Sequence, residues 1–273
     1  PKHEYNTAEN ILYTLREDGK FTALEAKLLD LSLVLHAEHG GGNNSTFTTR
    51  VVTSSGTDTY SAVAAALGSL KGPRHGGANI KFVRMFDDMK SRIDTKSERE
   101  IAKYLSDLLD GRAFDNAGLI YGMGHAVYLL SDPRAVILKR KAKEFAYKNG
   151  YEKDFELLAN IERLTPAVFR KVKGRNKVMC ANVDLYSGLI YKMLRIPEDL
   201  YTPVFASARI AGWSAHRLEE LISGGKIIRP AYKSIALPKK YVPMDERIEN
   251  YNSKSEYIPS DQRIYKEDGS HEA

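Results

Sequence analysis

Apolar residues recur at helical spacing along most of this sequence, and that period excludes most other fold classes. Between Leu24 and Leu35, leucines recur at the spacing that makes one face of a helix apolar. Thr22 precedes this stretch and Glu25 follows three residues later, which is the pattern of a reciprocal helix cap. The alternation typical of strands occurs only in short candidates near residues 226–236. The chain is therefore predicted to be mainly all-α.

Start and stop signals divide the rest of the sequence into further helices. Ser97 and Glu100 form a second capping pattern. Pro133 suits the first turn of a helix, because its missing N–H needs no partner there. Besides the helix that starts after Thr22, the predicted helices span residues 7–19, 57–70, 80–93, 97–111, 133–150, 165–174, 184–194 and 203–222.

Three segments lack helical periodicity. The residues between the glycines at 40–42 and Arg50 are polar and are expected to be flexible, and residues 112–132 are expected to be irregular. From Asp245 onward the sequence is polar and acidic, which predicts either a disordered tail or an arm laid over another surface.

The composition of the chain indicates which kind of partner it binds and in which cellular compartment it is found. The 273 residues carry a formal charge of +6, but lysine and arginine are scattered, which favours a multiply charged small anion over nucleic acid. A single cysteine, Cys180, predicts a reducing compartment, and no signal peptide or membrane-length apolar run is present, so a cytoplasmic location is expected. Because the chain starts at Pro1 without an initiator methionine, residues are expected to be missing upstream.

Histidines flanked by glycine mark the chemical centre of the sequence. The helix after Thr22 is predicted to end at the glycines, with His36 and His39 in its last turn. His75 and His125 both lie beside glycines at breaks between helices, where backbone and ligand can approach closely. A helix that starts after such a histidine would favour its neutral form. These residues predict a polar site for a small anion, with acid–base chemistry.

A metal site is the alternative for the paired histidines. His36 and His39 lie three residues apart with Glu38 between them, but this is not the HExxH order of zinc enzymes, and the one cysteine is remote. No metal site is predicted. The other histidines, His3, His216 and His271, are interpreted as surface or structural residues.

Three arginines and one aspartate complete the set of candidates. Arg134 follows Asp-Pro at a helix start, Arg209 lies in an apolar helix, and Arg229 precedes a proline. A guanidinium pairs best with a carboxylate or phosphate, so each arginine could bind an anionic ligand or form a structural salt bridge. Asp184 lies near a helix start, where by itself it is best interpreted as a cap.

Six motifs, in this order and at these spacings, resemble the citrate synthase family over nearly all of residues 1–240. Any one of them is weak, but six in order are highly specific. The motifs are HAEHGGGNNSTFTTR, GSLKGPRHGGAN, GMGHAVYLLSDPR, NVDLYSGL, FASARIAGW and IIRP. The resemblance implies a mostly helical two-domain fold that works as a homodimer and uses no tightly bound cofactor.

The resemblance also implies roles for the reacting groups. His75 matches the histidine that donates a hydrogen bond to the forming enol of acetyl-CoA. Asp184 matches the base that takes a proton from the acetyl methyl group, and His125 matches the histidine on the oxaloacetate carbonyl.

Substrate-binding roles follow from the same resemblance. His39, Arg134 and Arg209 match groups that hold oxaloacetate, and Arg229 matches an arginine that reaches into the partner subunit's site. The coenzyme A thioester, as co-substrate, is expected to be held by Tyr121, Gly122, Gly124, Ala126, Arg175 and Lys177.

The chain departs from the family pattern in two places. The chain lacks the family's long N-terminal helical segment, and Leu129 and Leu130 stand where a basic residue often contacts a coenzyme A phosphate.

Residues 1–77 and 190–273 are expected to form the large domain, and 78–189 an inserted small domain on the coenzyme A side. Hinges are expected near residues 76–77 and 187–188, where glycines can absorb backbone rotation.

The implied reaction is the condensation of acetyl-CoA with oxaloacetate and water to give citrate and CoA. The nearest alternative is 2-methylcitrate synthase, which uses propionyl-CoA; one methylene is worth only about 1–3 kcal/mol of discrimination. A non-catalytic helical binding or regulatory protein that keeps the fold is a second alternative, and a nucleic-acid binder a third.

Overall fold

The computed structural model of the chain describes residues 1–125, 127–128, 130–174, 179–231, 240–244 and 246. The chain divides into two compact units, residues 1–228 and 229–273. The described part of the first unit holds ten α-helices and no β-strand, only an isolated antiparallel bridge between Met123 and Ala181, which confirms the predicted all-α class. The helices are α1 (Thr7–Leu15), α2 (Ala23–His36), α3 (Asn44–Ser54), α4 (Thr59–Leu70), α5 (Ala78–Arg92), α6 (Glu98–Leu109), α7 (Pro133–Asn149), α8 (Glu152–Lys173), α9 (Val183–Met193) and α10 (Tyr201–Ile222), with a short 3-10 helix at Glu198–Leu200.

Side-chain caps fix where several helices begin. Thr22 and Glu25 cap α2 reciprocally, as predicted, and Asn6 caps α1 in the same way with Glu9. Pro133 is the first residue of α7 and the helix ends at Gly150 with φ of 78°, both as predicted.

Three local predictions were wrong. The segment expected to be flexible up to Arg50 forms α3, whose buried threonines Thr46 and Thr49 offset the low helix propensity of β-branched residues by packing. The helix expected to open at residue 165 begins at Glu152 and passes through Pro166, because its apolar face packs on α6 before the proline is reached. α2 ends at His36, so His39 lies in the following loop rather than in the last turn.

One large core and one smaller cluster stabilise the first unit. α7 and α5 pack on α9, and α8 packs on α6, around fully buried side chains such as Leu29, Phe86 and Leu158. The smaller cluster surrounds Trp213 and joins α10 to α4, and α3 packs on both of these helices. No described helix is both long enough and apolar enough to cross a membrane.

Of the second unit, only residues 229–231, 240–244 and 246 are described, and they are mostly exposed. The strand candidates near 226–236 fall partly outside the described residues, and residues 226–231 form no strand. The inserted small domain predicted for residues 78–189 stays a prediction.

Candidate active site

A cavity of about 610 Å³ in the first unit brings together residues that lie up to 170 positions apart in the sequence. It is lined by the ends of helices and the loops between them, from the segment after α2, the breaks before α5, α7 and α9, and one face of α10. Seven of the predicted site residues line it: His39, His75, Gly124, His125, Arg134, Asp184 and Arg209.

His125 is carried by a loop that is bonded to the segment preceding α9. The backbone N–H of Gly124 donates to the carbonyl of Cys180 at 2.7 Å, and that of Asn182 donates to the carbonyl of Gly122 at 2.9 Å. Gly122 and Gly124 have φ of 81° and 90°, a region that other residues seldom adopt. A Cβ on Gly122 would also lie 2.7 Å from Leu185, so the loop requires glycine there.

Backbone donors fix the protonation pattern of the His125 ring. Nδ1 accepts hydrogen bonds from the N–H groups of Val127 at 2.9 Å and Tyr128 at 3.0 Å. A neutral imidazole that accepts through Nδ1 carries its proton on Nε2. Burial lowers the pKa of His125, against the opposing charge of Asp132, so the ring is neutral near pH 7 and offers an Nε2–H donor.

An ion pair with Asp132 at the start of α7 holds Arg134 at the cavity. Asp132 is fully buried, caps α7 and accepts from Arg134 Nε at 3.0 Å and Nη2 at 2.8 Å. Burial by itself would raise the pKa of Asp132, but the hydrogen bonds and charge of Arg134 keep it below its usual value. The same Nη2 lies 3.4 Å from His125 Nε2, so the guanidinium is held beside that donor.

His75 lies in the turn between α4 and α5, and a serine holds its ring. Its Nε2 lies 3.0 Å from the hydroxyl oxygen of Ser45 in the first turn of α3, and that oxygen accepts from the indole N–H of Trp213 at 3.1 Å. Burial, and after it the charge of Arg209, lower the pKa of His75 to about 4. The ring is therefore neutral at physiological pH.

Asp184 lies in the first turn of α9 with its side chain on the cavity. The interpretation of Asp184 as the helix cap was wrong: Asn182 caps α9, and its Oδ1 accepts from the backbone N–H of Asp184 at 3.0 Å. Burial raises the pKa of Asp184 to about 6, against the lowering charge of Arg134. Asp184 is thus mostly ionised at pH 7, but it is more basic than an exposed carboxylate.

Arg209 is a buried cation without an ion-pair partner in the part of the chain that the structure describes. It is 1% exposed, its Nε donates to the carbonyl of His36 at 2.6 Å, and its guanidinium lies 4.8 Å from the ring centre of Phe205. Its buried Nη1 has no hydrogen-bond partner. Burial and then Arg134 lower its pKa to about 10, so it stays charged. An anion in the cavity would satisfy this group.

His39 closes the cavity beside His125, with 5.1 Å between the ring centres. Burial, followed by the charge of Arg134, lowers the pKa of His39 to about 4. Its loop is fixed by Glu38, which accepts from the backbone N–H of His39 at 2.7 Å and pairs with His216 on α10 at 3.0 Å. His216 is therefore structural, as predicted.

Comparison with known proteins identifies the family. The citrate synthase C-terminal domain family matches residues 1–231. The chain belongs to the citrate synthase family. It is 41% identical over 249 residues to the citrate synthase of Synechocystis sp., covering 91% of this chain and 58% of that protein. It is 36% identical over 227 residues to the 2-methylcitrate synthase of Shewanella oneidensis, covering 83% of this chain and 55% of that protein.

A solved member of the family has the same fold. The citrate synthase of Thermoplasma acidophilum, in a ternary complex with carboxymethyl coenzyme A and oxaloacetate, matches with a TM-score of 0.74 and 31% identity, over 90% of this chain and 61% of that chain. The chain spans 58–61% of the length of three of the curated citrate synthases that it matches.

The residues predicted from the citrate synthase resemblance to bind coenzyme A are only partly described. Gly124 lines the cavity, whereas the half-buried Tyr121 donates its hydroxyl to Asp115 at 2.6 Å and Gly122 packs against Leu185. Arg229 is exposed and belongs to the second compact unit. Ala126, Leu129, Arg175 and Lys177 lie outside the described residues.

Sequence reasoning missed three polar residues that hold the cavity-lining side chains in place: Asp132, Ser45 and Asn182. A signal existed for Asn182, because asparagine directly before a helix is a stronger cap than aspartate inside its first turn. Asp132 carried the signal of a cap before Pro133. For Ser45, nothing in the sequence indicated that α3 would bring it to His75.

Proposed function

We propose that this chain carries the catalytic centre of a citrate synthase, which condenses acetyl-CoA with oxaloacetate and water to give citrate and CoA. The observation that carries the proposal is the convergence of two neutral histidines, one carboxylate of raised pKa and two guanidinium groups on one cavity. Enolisation of a thioester needs a base on the methyl side and a hydrogen-bond donor on the carbonyl side. No tightly bound cofactor takes part, since the coenzyme A thioester is itself a substrate.

The steps assign one task to each group. Ionised Asp184 takes a proton from the acetyl methyl group while His75 donates to the thioester oxygen, from Nδ1 because Ser45 occupies Nε2. The enol carbon then attacks the ketone carbon of oxaloacetate, whose oxygen is polarised by the Nε2–H of His125 and takes up a proton, equivalent to the one removed by Asp184, to become the hydroxyl of the citryl thioester. Water hydrolyses the resulting citryl thioester and releases CoA.

The dicarboxylate is proposed to bind on the cationic side of the cavity. Arg209 offers a buried N–H without a protein partner, and Arg134 and His39 flank His125. A guanidinium group pairs best with a planar carboxylate, so two fixed guanidinium groups in one cavity favour a short ligand that has a carboxylate at each end.

Release of the coenzyme A thiol tests the function. The wild-type chain should release thiol only when acetyl-CoA and oxaloacetate are both present, and Asp184→Asn should lower kcat by about three orders of magnitude. Asp30→Asn, a change of an exposed aspartate on α2, is the matched control and should keep full activity. Oxaloacetate binding without any thiol release would instead favour the non-catalytic alternative.

The length of the acyl chain of the substrate is also open, because citrate synthases and 2-methylcitrate synthases both match this chain. We favour acetyl-CoA, and propionyl-CoA, as in 2-methylcitrate synthase, is the alternative. The ratio of kcat/KM for the two thioesters decides between them. A ratio above one for acetyl-CoA supports citrate synthesis, and a ratio below one supports 2-methylcitrate synthesis.

A homodimer is also part of the proposal, with Arg229 reaching into the partner's site. The support is apolar exposure on α3, α4 and α10, which pack on one another: Phe47 is 45% exposed, Leu67 41% and Leu218 59%. Leu218→Glu should dissociate the dimer in sedimentation experiments, whereas Val136→Glu on α7, with a similarly exposed valine, should not. The inserted small domain at 78–189 and a cytoplasmic location belong to the same proposal.

A further inference from the structure

The side chain of Asn182 forms hydrogen bonds with two segments of the chain, one that carries Asp184 and one that carries His125. Its Oδ1 accepts from the backbone N–H of Asp184 at 3.0 Å, and its Nδ2 donates to the carbonyl of Gly124 at 3.0 Å. An N–H can only donate and a carbonyl can only accept, so these two contacts fix the orientation of the amide. Asp184 is the proposed base, and Gly124 is the residue directly before His125.

The other bonds between these segments are made by the backbone. The Gly124 N–H donates to Cys180 and the Asn182 N–H donates to Gly122, so the two segments stay paired whatever side chain stands at 182. The Gly124 carbonyl has no other described bond, and Gly124 itself has φ of 90°. The Asn182 amide is therefore the group that sets the plane of the Gly124–His125 peptide.

We propose that Asn182 is a positioning residue. It fixes the position of His125 relative to Asp184, so that the enol carbon formed at Asp184 lies next to the ketone that His125 polarises. The inference rests on the proposed function and deepens it. Serine at this position would still cap α9, because its hydroxyl accepts from the same N–H, but it is too short to reach the Gly124 carbonyl. The variant Asn182→Ser thus removes the link to His125 and keeps Asp184 in place.

The test separates the two halves of the reaction. Exchange of the acetyl methyl hydrogens with deuterium, in the presence of malate, needs the base and the thioester donor but no ketone, since malate carries a hydroxyl there. Condensation with oxaloacetate needs His125 as well. Asn182→Ser should keep methyl exchange within about twofold of wild type and lower condensation by about 10- to 100-fold, the effect of a small misplacement of a reacting group.

A second variant and a control extend the test. Asn182→Asp keeps an acceptor for the cap but sets a carboxylate oxygen against the Gly124 carbonyl, so condensation should fall further than in Asn182→Ser. Asn6→Ser makes the same change at the cap of α1, away from the cavity, and should leave both rates unchanged. Equal losses in methyl exchange and condensation, or no loss in either, would overturn the inference.

Oxaloacetate titration by calorimetry tests the same inference without turnover. Asn182→Ser should weaken oxaloacetate binding by about fivefold, the effect of one misaligned neutral hydrogen bond, and unchanged affinity would overturn the positioning role. If the wild-type chain binds oxaloacetate but does not turn over, the proposed function fails and this measurement still decides on Asn182. If the wild-type chain neither turns over nor binds oxaloacetate, both proposals are overturned.

Discussion

His125 and His75 face the same cavity, but different kinds of group hold their rings. Two backbone N–H groups, from Val127 and Tyr128, bind Nδ1 of His125. The hydroxyl of Ser45 binds Nε2 of His75, and a hydroxyl can either donate or accept. The backbone thus allows one neutral tautomer for His125, whereas the tautomer of His75 depends on neighbouring side chains.

The comparison shows two ways to build a neutral histidine donor. Burial lowers the pKa of both rings, so neither needs a carboxylate to set its charge. The ring of His125 is oriented by the N–H groups of the two residues Val127 and Tyr128, close in sequence, on a loop that is bonded to the segment before α9. His75 gains it from α3 and from Trp213 on α10, which only the tertiary fold brings together. The second arrangement should be the easier one to disrupt by substitution.

Removal of each ring should give the largest effects and should separate their roles. His75→Ala should lower kcat by about three orders of magnitude and leave oxaloacetate affinity within about twofold, since this ring serves the thioester. His125→Ala should lower kcat similarly and weaken oxaloacetate binding at least about tenfold. Steady-state kinetics and calorimetry measure both, with exposed His3→Ala as the control. Equal loss of oxaloacetate affinity in both variants would remove the distinction.

Two buried arginines on α10 allow a matched test of the substrate pocket. Arg209 has an unpaired N–H at the cavity, whereas Arg217 donates to Thr53, Thr57 and Thr59. Arg209→Leu should weaken oxaloacetate binding about 100-fold with little change in Tm, because its partner is the ligand. Arg217→Leu should lower Tm and leave oxaloacetate affinity unchanged.

The reverse pattern would show that Arg209 is structural. An arginine paired within the protein costs about 3–5 kcal/mol of stability when it is removed, because a buried carboxylate is left unpaired. A large fall in Tm for Arg209→Leu with unchanged oxaloacetate affinity would therefore place the substrate site elsewhere.

Ser45→Ala tests the less rigid of the two arrangements and should have a moderate effect. Without the hydroxyl, the His75 ring loses its hydrogen-bond partner at Nε2, so kcat should fall about 10-fold while oxaloacetate affinity stays unchanged. Ser55→Ala, which removes an exposed hydroxyl at the end of α3, is the control. A wild-type kcat in Ser45→Ala would mean that Ser45 does not orient His75.

The smallest expected effect is the pH dependence near neutrality. The pKa of Asp184 is raised to about 6, and a base acts only when ionised, so kcat should fall as pH drops through about 6. His39 and His75 have pKa values of about 4 and stay neutral over that range, so neither of these two rings gives rise to the acid limb. A midpoint near pH 4 in a pH–rate profile would assign the limb to a histidine instead.

Features set by local sequence were predictable, and those set by tertiary contacts were not. The cap made by Thr22 and Glu25 and the helix start at Pro133 depend on neighbours within a few residues. α3 was missed because threonine and valine disfavour helices locally, whereas contacts with α4 and α10 stabilise this one.

The same division applies to the cavity. The seven lining residues predicted from the resemblance to citrate synthases were brought together by the fold, but their supporting partners were not foreseen. The Ser45 contacts to His75 and Trp213 join residues 30 and 168 positions apart. No periodicity or capping rule reports such contacts.

A crystal structure of the chain with oxaloacetate tests the central claim most directly. The account predicts one oxaloacetate in this cavity, with its carboxylates on Arg134 and Arg209 and its ketone oxygen within hydrogen-bonding distance of His125 Nε2. Density for the ligand elsewhere, or a ketone turned away from His125 with Arg209 unpaired, would contradict it.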